Sequence, residues 1–170
     1  MPYSSILSAI VPEVQSIIAT LKANNHTLSF AESCTGGGIA SVFTSVAGVS
    51  AVFGGSCVTY SNTIKEQWLG VSPQTLLRYG AVSQECVAQM LVGITTMANS
   101  EYNIAVSGIA GPDGGTNLKP VGTVYIGIQT PLGQQIQHCK FEGNRQEIQE
   151  KSIIFAIKTL KEAIENKNNL

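Results

Sequence analysis

Residues 27–38 have the sequence TLSFAESCTGGG, and this stretch decides the fold. Its first part, Thr27–Ala31, predicts a β-strand, and its three glycines predict a tight turn that leads into a helix over Ile39–Ala47. A strand, a turn and a helix in this order direct backbone N–H groups and the positive helix end toward one point, which suits a developing negative charge. A purely structural interpretation is also open here: Ser33 or Thr35 caps the helix, and the glycines only make the turn.

Helical and strand patterns alternate along the rest of the chain. Helices are predicted over Leu7–Leu21, over Thr63–Leu69, from Ser72-Pro73 to Gly80, over Gln84–Ala98, and after a cap at Asn144, with a frayed tail at Asn166–Leu170. Strands are predicted at Val52-Phe53 with Cys57–Tyr60, at Tyr102–Ser107, and as a hairpin of Thr123–Thr130 and Gln134–Phe141. This order predicts an α/β domain whose mixed sheet is covered on both faces. No linker or repeat interrupts it, so we expect a single domain over residues 1–170.

The composition excludes several classes of protein. The chain has 170 residues, of which 44% are hydrophobic and 12% charged, and its net charge is −1. This balance is typical of a globular domain and provides no electrostatic attraction for nucleic acid or for an anionic membrane surface. We see no signal peptide and no apolar run near the ~18 residues that a membrane span needs. We therefore expect a cytoplasmic protein with reduced thiols.

Neither metal-binding nor common nucleotide-binding motifs occur. The four cysteines are widely spaced and form no C-x-x-C pair, and the two histidines are not part of a ligand cluster; these residues are Cys34, Cys57, Cys86, Cys139, His26 and His138. The glycine-rich stretches match neither the P-loop nor the dinucleotide-binding pattern. There is no G-x-S-x-G elbow, and no histidine lies near a candidate serine. A serine nucleophile here needs a base other than histidine.

Lys65 is the best candidate for that base. A neutral lysine can activate a serine, but an ordinary lysine has a pKa near ~10.4 and is almost fully protonated at neutral pH. Lys65 falls in the first turn of the predicted helix after Tyr60-Ser61-Asn62, where the positive helix end disfavours its charge and lowers its pKa. The alternative is an ordinary surface lysine in an electrostatically poor position.

Two further residues near these motifs have competing interpretations. Cys34 is the rival nucleophile, because a thiol at a helix N-terminus has a lowered pKa, although most free cysteines are small buried apolar residues. Tyr60 could polarise Lys65 or donate a hydrogen bond to the substrate, or could simply be an aromatic residue of the strand. The residues alone leave both questions open.

Lys119 and Arg145 are candidate contacts for an anion. Lys119 lies in a second glycine-rich loop, Gly108–Gly122, which is long for a plain connection. Arg145 opens the final helix, an unfavourable place for a cation unless an anion binds nearby, and arginine binds phosphate through two hydrogen bonds. The alternative for each is a solvated surface position.

Four motifs together resemble one known family. They are A-E-S-C-T-G-G at Ala31–Gly37, Y-S-N-x-x-K-x-x-x-L-G-V at Tyr60–Val71, G-A-V-S at Gly80–Ser83, and S-G-I-A-G-P-x-G-G followed by K-P-V-G within Ser107–Gly122. In this order and over about Val11 to Ile164, they resemble the C-terminal domain of the CinA (competence- and damage-inducible) family. Stand-alone members of that family are nicotinamide mononucleotide (NMN) deamidases.

The resemblance implies a fold and a reaction. The fold is a three-layer α/β/α sandwich with a mixed β-sheet. The reaction is hydrolysis of the NMN carboxamide to nicotinate mononucleotide and ammonia by a Ser/Lys amidohydrolase, in pyridine nucleotide salvage, with no metal or organic cofactor. The expected partner is the nucleotide substrate, without nucleic acid or membrane, in a homo-oligomer for which a dimer is favoured. The N-terminal domain of longer CinA proteins does not occur in this sequence, so its activities are not expected.

The resemblance also assigns roles to residues. Ser33 matches the nucleophile, Lys65 the general base and Tyr60 a third catalytic position. We expect substrate binding at Thr35, Gly36, Gly37, Asn62, Ser107, Lys119 and Arg145, with backbone N–H groups of Thr35–Gly37 holding the oxyanion. Ser107 replaces a common threonine and keeps the hydroxyl. Gln149 stands where arginine is common, which affects either phosphate affinity or an oligomer contact.

Two other functions remain compatible with the sequence. The same loops could belong to a non-catalytic module of the CinA type that binds a nucleotide or a partner without turnover. The chain could also be a deamidase of a different pyridine or amide substrate. The presence of both Ser33 and Lys65 favours an enzyme.

Overall fold

The computed structural model describes residues 5–167 as one five-stranded sheet between two layers of helices. The strands are β1 (Leu28–Glu32), β2 (Phe53–Val58), β3 (Tyr102–Gly108), β4 (Thr123–Thr130) and β5 (Gly133–Lys140). The helices are α1 (Ser5–Ser8), α2 (Val11–Ala23), α3 (Gly38–Thr44), α4 (Asn62–Leu69), α5 (Pro73–Tyr79), α6 (Gln84–Ala98) and α7 (Arg145–Lys167), with a 3₁₀ turn at Val49–Ala51.

The strand order is β2-β1-β3-β4-β5, with β1 parallel to both of its neighbours and β4 antiparallel to β3 and β5. The chain leaves β1 through α3 to reach β2, and then crosses through α4, α5 and α6 to reach β3 on the other side of β1. Parallel neighbours need such helical crossovers, whereas β4 and β5 are joined by a short turn. The predicted mixed sheet and late hairpin are confirmed.

Two apolar cores lie on opposite faces of the sheet. One face of the sheet packs against α2, α3 and α7 around Phe30 and Ile104, and the other packs against α4, α5 and α6 around Ala31 and Ala105. Neighbouring residues of β1 and β3 thus face different cores, as strand geometry requires. All five residues of β1 are buried, because helices cover both faces of the central strand. The predicted three-layer α/β/α architecture is confirmed.

Several helix boundaries follow the predicted caps. The hydroxyls of Ser61, Ser72 and Ser83 accept hydrogen bonds from backbone N–H groups in the first turns of α4, α5 and α6. At the start of α7, the Asn144 side chain accepts from the Glu147 N–H at 3.1 Å, and the Glu147 carboxylate accepts from the Asn144 N–H at 2.7 Å. This reciprocal pair is the capping box that the sequence predicts.

Other boundaries differ from the prediction. The single helix predicted from Leu7 to Leu21 is two helices, because Pro12 has no N–H to donate to the Ser8 carbonyl and lies instead in the first turn of α2. The β stretch predicted at Val52-Phe53 and Cys57–Tyr60 is the single strand Phe53–Val58, and the register shift opposite Leu28 and Ser29 places a bulge at Gly54. A side chain at Gly54 would meet the Ser29 hydroxyl, at 2.9 Å from the added Cβ.

Two further helices, α3 and α7, end at residues other than those predicted. The helix predicted over Ile39–Ala47 ends at Thr44, where the hydroxyls of Thr44 and Ser45 donate to carbonyls of the preceding turn. The tail predicted at Asn166–Leu170 begins later, because α7 continues to Lys167; residues 168–170 lie outside the described residues. No helix in the described part of the chain is both long and apolar enough to cross a membrane.

The topology places the predicted site at one edge of the sheet. The carboxyl ends of β1, β2 and β3 meet there, and the crossovers that flank β1 run over opposite faces. Such a switch point leaves a crevice in which α/β proteins bind their ligands. Ser33 directly follows β1, Tyr60 closely follows β2, and Ser107 lies near the end of β3.

Candidate active site

Ser33 and Lys65 form a buried pair at the carboxyl edge of the sheet. The Nζ of Lys65 lies 3.0 Å from the Oγ of Ser33, although 32 residues separate them. Lys65 is 1% exposed and Ser33 is 7% exposed. Ser33 is carried by the end of β1, and α4, which begins directly after β2, carries Lys65. The structure therefore brings the predicted nucleophile within hydrogen-bond distance of the predicted base.

The surroundings of Lys65 suit an uncharged amine. Its Nζ also lies 2.6 Å from the Thr59 carbonyl oxygen and 3.4 Å from the Tyr60 carbonyl oxygen. A neutral amine has two N–H groups for these two carbonyls and one lone pair for the Ser33 hydroxyl hydrogen. Within the described residues the one ion pair joins Lys161 to Glu165, so no carboxylate neutralises Lys65.

Burial lowers the pKa of Lys65 below its ordinary value, and nearby Cys86 and Cys34 oppose this to a smaller extent. Removing an ammonium group from water disfavours its charged form, and no opposite charge compensates. The direction agrees with the sequence-based prediction, but the cause differs. The prediction invoked the positive end of α4, whereas the main cause in the structure is desolvation of the side chain.

Cys34 does not have the properties of a reactive thiol. Its side chain is 5% exposed, and burial raises the pKa of Cys34 to about 12. The expectation of a lowered pKa at the helix N-terminus is wrong, because desolvation outweighs the opposing effects of the backbone and of Lys65. The Cys34 thiol is therefore protonated at neutral pH.

Glu32 occupies the N-terminus of α3. Its carboxylate is fully buried and accepts hydrogen bonds from the backbone N–H groups of Ile39 at 3.0 Å and Ala40 at 2.9 Å. It also accepts from the hydroxyls of Thr35 at 2.8 Å and Ser56 at 3.2 Å. The positive end of α3 is thus satisfied by the protein itself and does not face a ligand, contrary to the role that the sequence suggested for it.

Sequence reasoning missed Glu32, although a signal was present. A carboxylate at the end of a strand that is buried on both faces needs several donors, and the nearest unpaired donors are those of the next helix. The same interaction explains Thr35, which was predicted to contact substrate. Its hydroxyl donates to Glu32, so only its backbone N–H remains for another partner.

The turn after Ser33 depends on two glycines in the left-handed region. Gly36 has a φ of 62° and Gly37 a φ of 91°, which side-chain-bearing residues rarely adopt. The Gly36 N–H donates to the Ser33 carbonyl at 3.0 Å, so this N–H is already used. Of the predicted oxyanion donors, the N–H groups of Thr35 and Gly37 donate no hydrogen bond within the described residues.

Arg145 connects the second glycine-rich loop to the end of β2. One guanidinium nitrogen donates to the Gly111 carbonyl at 2.8 Å, and another donates to the Tyr60 hydroxyl at 2.9 Å. Arg145 is the first residue of α7 and has no carboxylate partner among the described residues. The Tyr60 hydroxyl therefore contacts Arg145 rather than Lys65. A cation held in place without an opposite charge can bind an anion.

Of three other predicted site residues, Ser107 and Lys119 each donate a hydrogen bond to a backbone carbonyl, and Asn62 is exposed. The Ser107 hydroxyl is buried and donates to the Ala81 carbonyl at 2.8 Å, and the Lys119 ammonium group donates to the Tyr79 carbonyl at 2.6 Å, at the end of α5. Asn62 is exposed at the start of α4. No hydrogen bond or ion pair within the described residues joins these side chains to Ser33 or Lys65.

The Cys86 thiol interacts electrostatically with two of these lysines. Burial raises the pKa of Cys86 to about 11, while Lys65 and Lys119 each act in the opposite direction. Both amines are therefore within electrostatic reach of Cys86, in the first turn of α6. Among the described residues, no group of three or more His, Cys, Asp or Glu side chains could hold a metal ion.

Gln149 contacts the turn that carries the nucleophile. Its Nε2 donates to the Cys34 carbonyl at 2.7 Å, across 115 residues of sequence. The sequence had marked Gln149 only as a departure from a common arginine. Because Arg145 lies one helical turn earlier on α7, these two residues project from the same face of that helix.

A family model described as the CinA C-terminal domain matches residues 12–164. A CinA-like protein of Fervidobacterium nodosum is 49% identical over 144 residues, which cover 85% of this chain and 35% of that protein. A putative competence-damage inducible protein of Acetivibrio thermocellus is 45% identical over 133 residues, 78% of this chain and 32% of that protein. The chain thus spans about a third of the length of these two relatives.

Shorter relatives and solved structures match over most of their length. The nicotinamide-nucleotide amidohydrolase PncC of Escherichia coli K12 is 45% identical over 142 residues, covering 82% of this chain and 86% of that protein. The competence/damage inducible protein CihA from Agrobacterium tumefaciens superposes with a TM-score of 0.88 at 36% identity, over 92% and 95% of the two chains. A CinA superfamily protein from Escherichia coli gives a TM-score of 0.86 at 31% identity, over 89% and 88%.

Proposed function

This chain belongs to the CinA C-terminal domain family, and we propose that it is an amidohydrolase that converts NMN to nicotinate mononucleotide and ammonia. Support comes from the 45% identity to PncC, a nicotinamide-nucleotide amidohydrolase that the chain covers over most of its length. The observation that carries the proposal is the 3.0 Å approach of the buried Lys65 amine to the Ser33 hydroxyl. We propose residues 1–170 as a single catalytic domain that requires no metal or organic cofactor.

Acylation begins with the Ser33–Lys65 pair. Neutral Lys65 takes the hydroxyl proton from Ser33 as its Oγ attacks the carboxamide carbon of NMN. The new Oγ–C bond pushes an electron pair onto the carbonyl oxygen. The amine is already held by the Thr59 and Tyr60 carbonyls, which accept hydrogen bonds and stabilise the ammonium that forms. The base is therefore oriented before the substrate arrives.

The oxyanion is held by the turn after Ser33. The backbone N–H groups of Thr35 and Gly37 are the available donors, since Gly36 is bound to the Ser33 carbonyl and the α3 N-terminus is bound to Glu32. Donors that are fixed before reaction stabilise the charge without reorganising. The left-handed conformation at Gly36 and Gly37 allows the backbone to present these groups.

The tetrahedral intermediate then collapses. Its C–N bond breaks, and the departing nitrogen takes the proton from the Lys65 ammonium and leaves as ammonia. A water molecule next gives a proton to neutral Lys65 and attacks the nicotinoyl ester on Ser33. The C–Oγ bond breaks, Oγ recovers the proton from Lys65, and nicotinate mononucleotide is released. Lys65 thus acts in both halves of the reaction.

The phosphate binds at the other end of the crevice. Arg145 is held by the Gly111 carbonyl and the Tyr60 hydroxyl, and its charge has no partner among the described residues. The positive end of the 23-residue helix α7 adds to this attraction. In this proposal, Tyr60 positions Arg145, and the second glycine-rich loop, with Lys119, borders the ribose and phosphate. Binding the remote phosphate positions the pyridine carboxamide for attack.

The test is ammonia release from NMN by the purified wild-type chain, compared by kcat/KM with a panel of other carboxamides. The proposal expects NMN to be the preferred substrate. Stabilisation of the protein by NMN without ammonia release would instead indicate a binding module. A higher kcat/KM for another amide would reassign the substrate while retaining the Ser/Lys chemistry. We also propose a homo-oligomer, with a dimer favoured, which a sedimentation measurement tests.

A further inference from the structure

Within the described residues, a single side chain, that of Gln149, donates a hydrogen bond to a backbone carbonyl of residues 33–35. Its carboxamide is half-buried on α7, and the atom 2.7 Å from the Cys34 carbonyl oxygen is Nε2. Only the amide nitrogen can donate to a carbonyl oxygen, so this contact fixes which way the carboxamide faces. The interaction joins the final helix to the residue directly after the nucleophile.

The geometry of the peptide bond gives this contact a consequence for Thr35. The Cys34 carbonyl and the Thr35 N–H belong to the same peptide unit, which is planar and trans. Their bonds therefore point in opposite directions, and a group that holds the carbonyl also sets the direction of the N–H. The Thr35 N–H is one of the two donors available for the oxyanion.

The neighbouring peptides of the turn are held by the backbone instead. The Ser33 carbonyl accepts from the Gly36 N–H at 3.0 Å, and the Thr35 carbonyl accepts from the Gly38 N–H at 3.0 Å. The Cys34 carbonyl has no backbone donor within the described residues. Among the described residues, the Gln149 amide is therefore the donor that holds the Cys34 carbonyl.

We propose that Gln149 is a positioning residue for the reaction, which holds the Cys34–Thr35 peptide so that the Thr35 N–H faces the oxyanion. The inference rests on the proposed acyl transfer at Ser33. Gln149 acts through the backbone and does not touch the reacting atoms. Its loss therefore weakens stabilisation of the transition state while leaving ground-state binding of the nucleotide unchanged.

The experiment compares two Gln149 variants with a matched control on the same helix. Gln149→Met removes the hydrogen-bond donor from a side chain of similar length. Gln149→Glu keeps the shape but places a carboxylate, which cannot donate, beside the Cys34 carbonyl. Gln146→Met is the control, because Gln146 is exposed and its amide donates to Glu150, at 2.9 Å, and not to the turn after Ser33. Thermal unfolding of all three identifies any loss of folding, and Gln149→Glu serves if Gln149→Met does not fold.

The expected result is a selective loss of kcat on NMN. Removing an oxyanion donor entirely costs about 10²–10³-fold in kcat, so misorienting one should cost on the order of 10- to 100-fold. Gln149→Met should show this loss of kcat with KM within about twofold of wild type. Gln149→Glu should show an equal or larger loss of kcat. Gln146→Met should match wild type.

A second measurement distinguishes positioning from a general structural effect. An NMN analogue with an aldehyde in place of the carboxamide adds the Ser33 O–H across its C=O bond, and the resulting hemiacetal oxygen lies where the oxyanion forms. Its affinity should fall in Gln149→Met by the same factor as kcat, whereas the affinity for the planar product, nicotinate mononucleotide, should not change.

Other outcomes overturn the inference. A Gln149→Met or Gln149→Glu variant with wild-type kcat would contradict it, as would equal losses of affinity for the aldehyde and the product. Failure of the underlying proposal is separate, because the wild-type chain would then release no ammonia from NMN.

Discussion

The Nζ of Lys65 and the Oγ of Ser33 lie 3.0 Å apart in a site where neither side chain is more than 7% exposed. Two consecutive carbonyls, of Thr59 and Tyr60, accept from the same amine, and no carboxylate of the described residues forms an ion pair with it. This arrangement provides a base of lowered pKa beside a hydroxyl, without histidine. The predictions below follow from it and from the contacts around it.

The rate on NMN should depend on the ionisation of Lys65. Because burial lowers the pKa of Lys65 below the ordinary 10.5, the amine loses its proton at a lower pH than a solvated lysine. Below that pKa the neutral fraction, and with it kcat/KM, should rise about tenfold per pH unit. A pH profile of kcat/KM between pH 5 and pH 10 measures the midpoint. A midpoint at the pKa of an exposed lysine would argue against Lys65 as the base.

Cys34→Ala should retain most of the activity. The thiol has a pKa of about 12 and is protonated at neutral pH, so it is a poor nucleophile. Because Cys34 is also buried, we expect a modest loss of stability, on the order of 1 kcal/mol, from the small cavity. Steady-state kinetics on NMN test the first point, and urea unfolding tests the second. Loss of activity in this variant together with an active Ser33→Ala would reassign the nucleophile.

Glu32→Ala should strongly destabilise the fold. Four donors, on Thr35, Ile39, Ala40 and Ser56, would lose a buried acceptor. Since each buried unsatisfied group costs about 1–3 kcal/mol, we expect the free energy of unfolding to fall by more than ~3 kcal/mol.

The matched control for Glu32 is Glu147→Ala. This exposed carboxylate also caps a helix, but it accepts a single hydrogen bond, from the Asn144 N–H. Its loss should cost about 1 kcal/mol. Equal destabilisation of the two variants in chemical unfolding would contradict the role assigned to Glu32.

Arg145→Ala should raise KM for NMN by about 10- to 100-fold, because a charge-assisted contact to phosphate is lost. Nicotinamide riboside has no phosphate, so its KM should change by less than about threefold. Arg78→Ala is the control, since the Arg78 guanidinium lies 5.2 Å from the centre of the Tyr79 ring and is exposed. Equal increases of KM for both substrates would show that Arg145 does not bind the phosphate.

Much of the fold could be predicted from local sequence signals. Ser61, Ser72 and Ser83 each precede a helix at the cap position, and the boundaries of α6 and β4 agree with the periodicity. Local signals were less reliable where the partner is distant in sequence. The bulge at Gly54 depends on pairing with β1. The split of the first helix, by contrast, follows from a local signal, the missing N–H at Pro12.

The candidate site shows the same difference between local sequence signals and features that depend on tertiary structure. The proximity of Ser33 and Lys65 could be inferred from their motifs, but the cause of the lowered lysine pKa is burial, which only tertiary structure supplies. Burial also reverses the shift expected for Cys34. The role of Gln149 depends on a carbonyl 115 residues away, and no spacing in the sequence encodes that contact.

The most direct test of the Ser33–Lys65 pair is ammonia release from NMN by wild type, Ser33→Ala and Lys65→Ala, each checked for folding by circular dichroism. We predict that each substitution lowers kcat by at least about 10³-fold, because the nucleophile and its base act as one unit. A folded Lys65→Ala variant that releases ammonia at the wild-type rate would contradict the account.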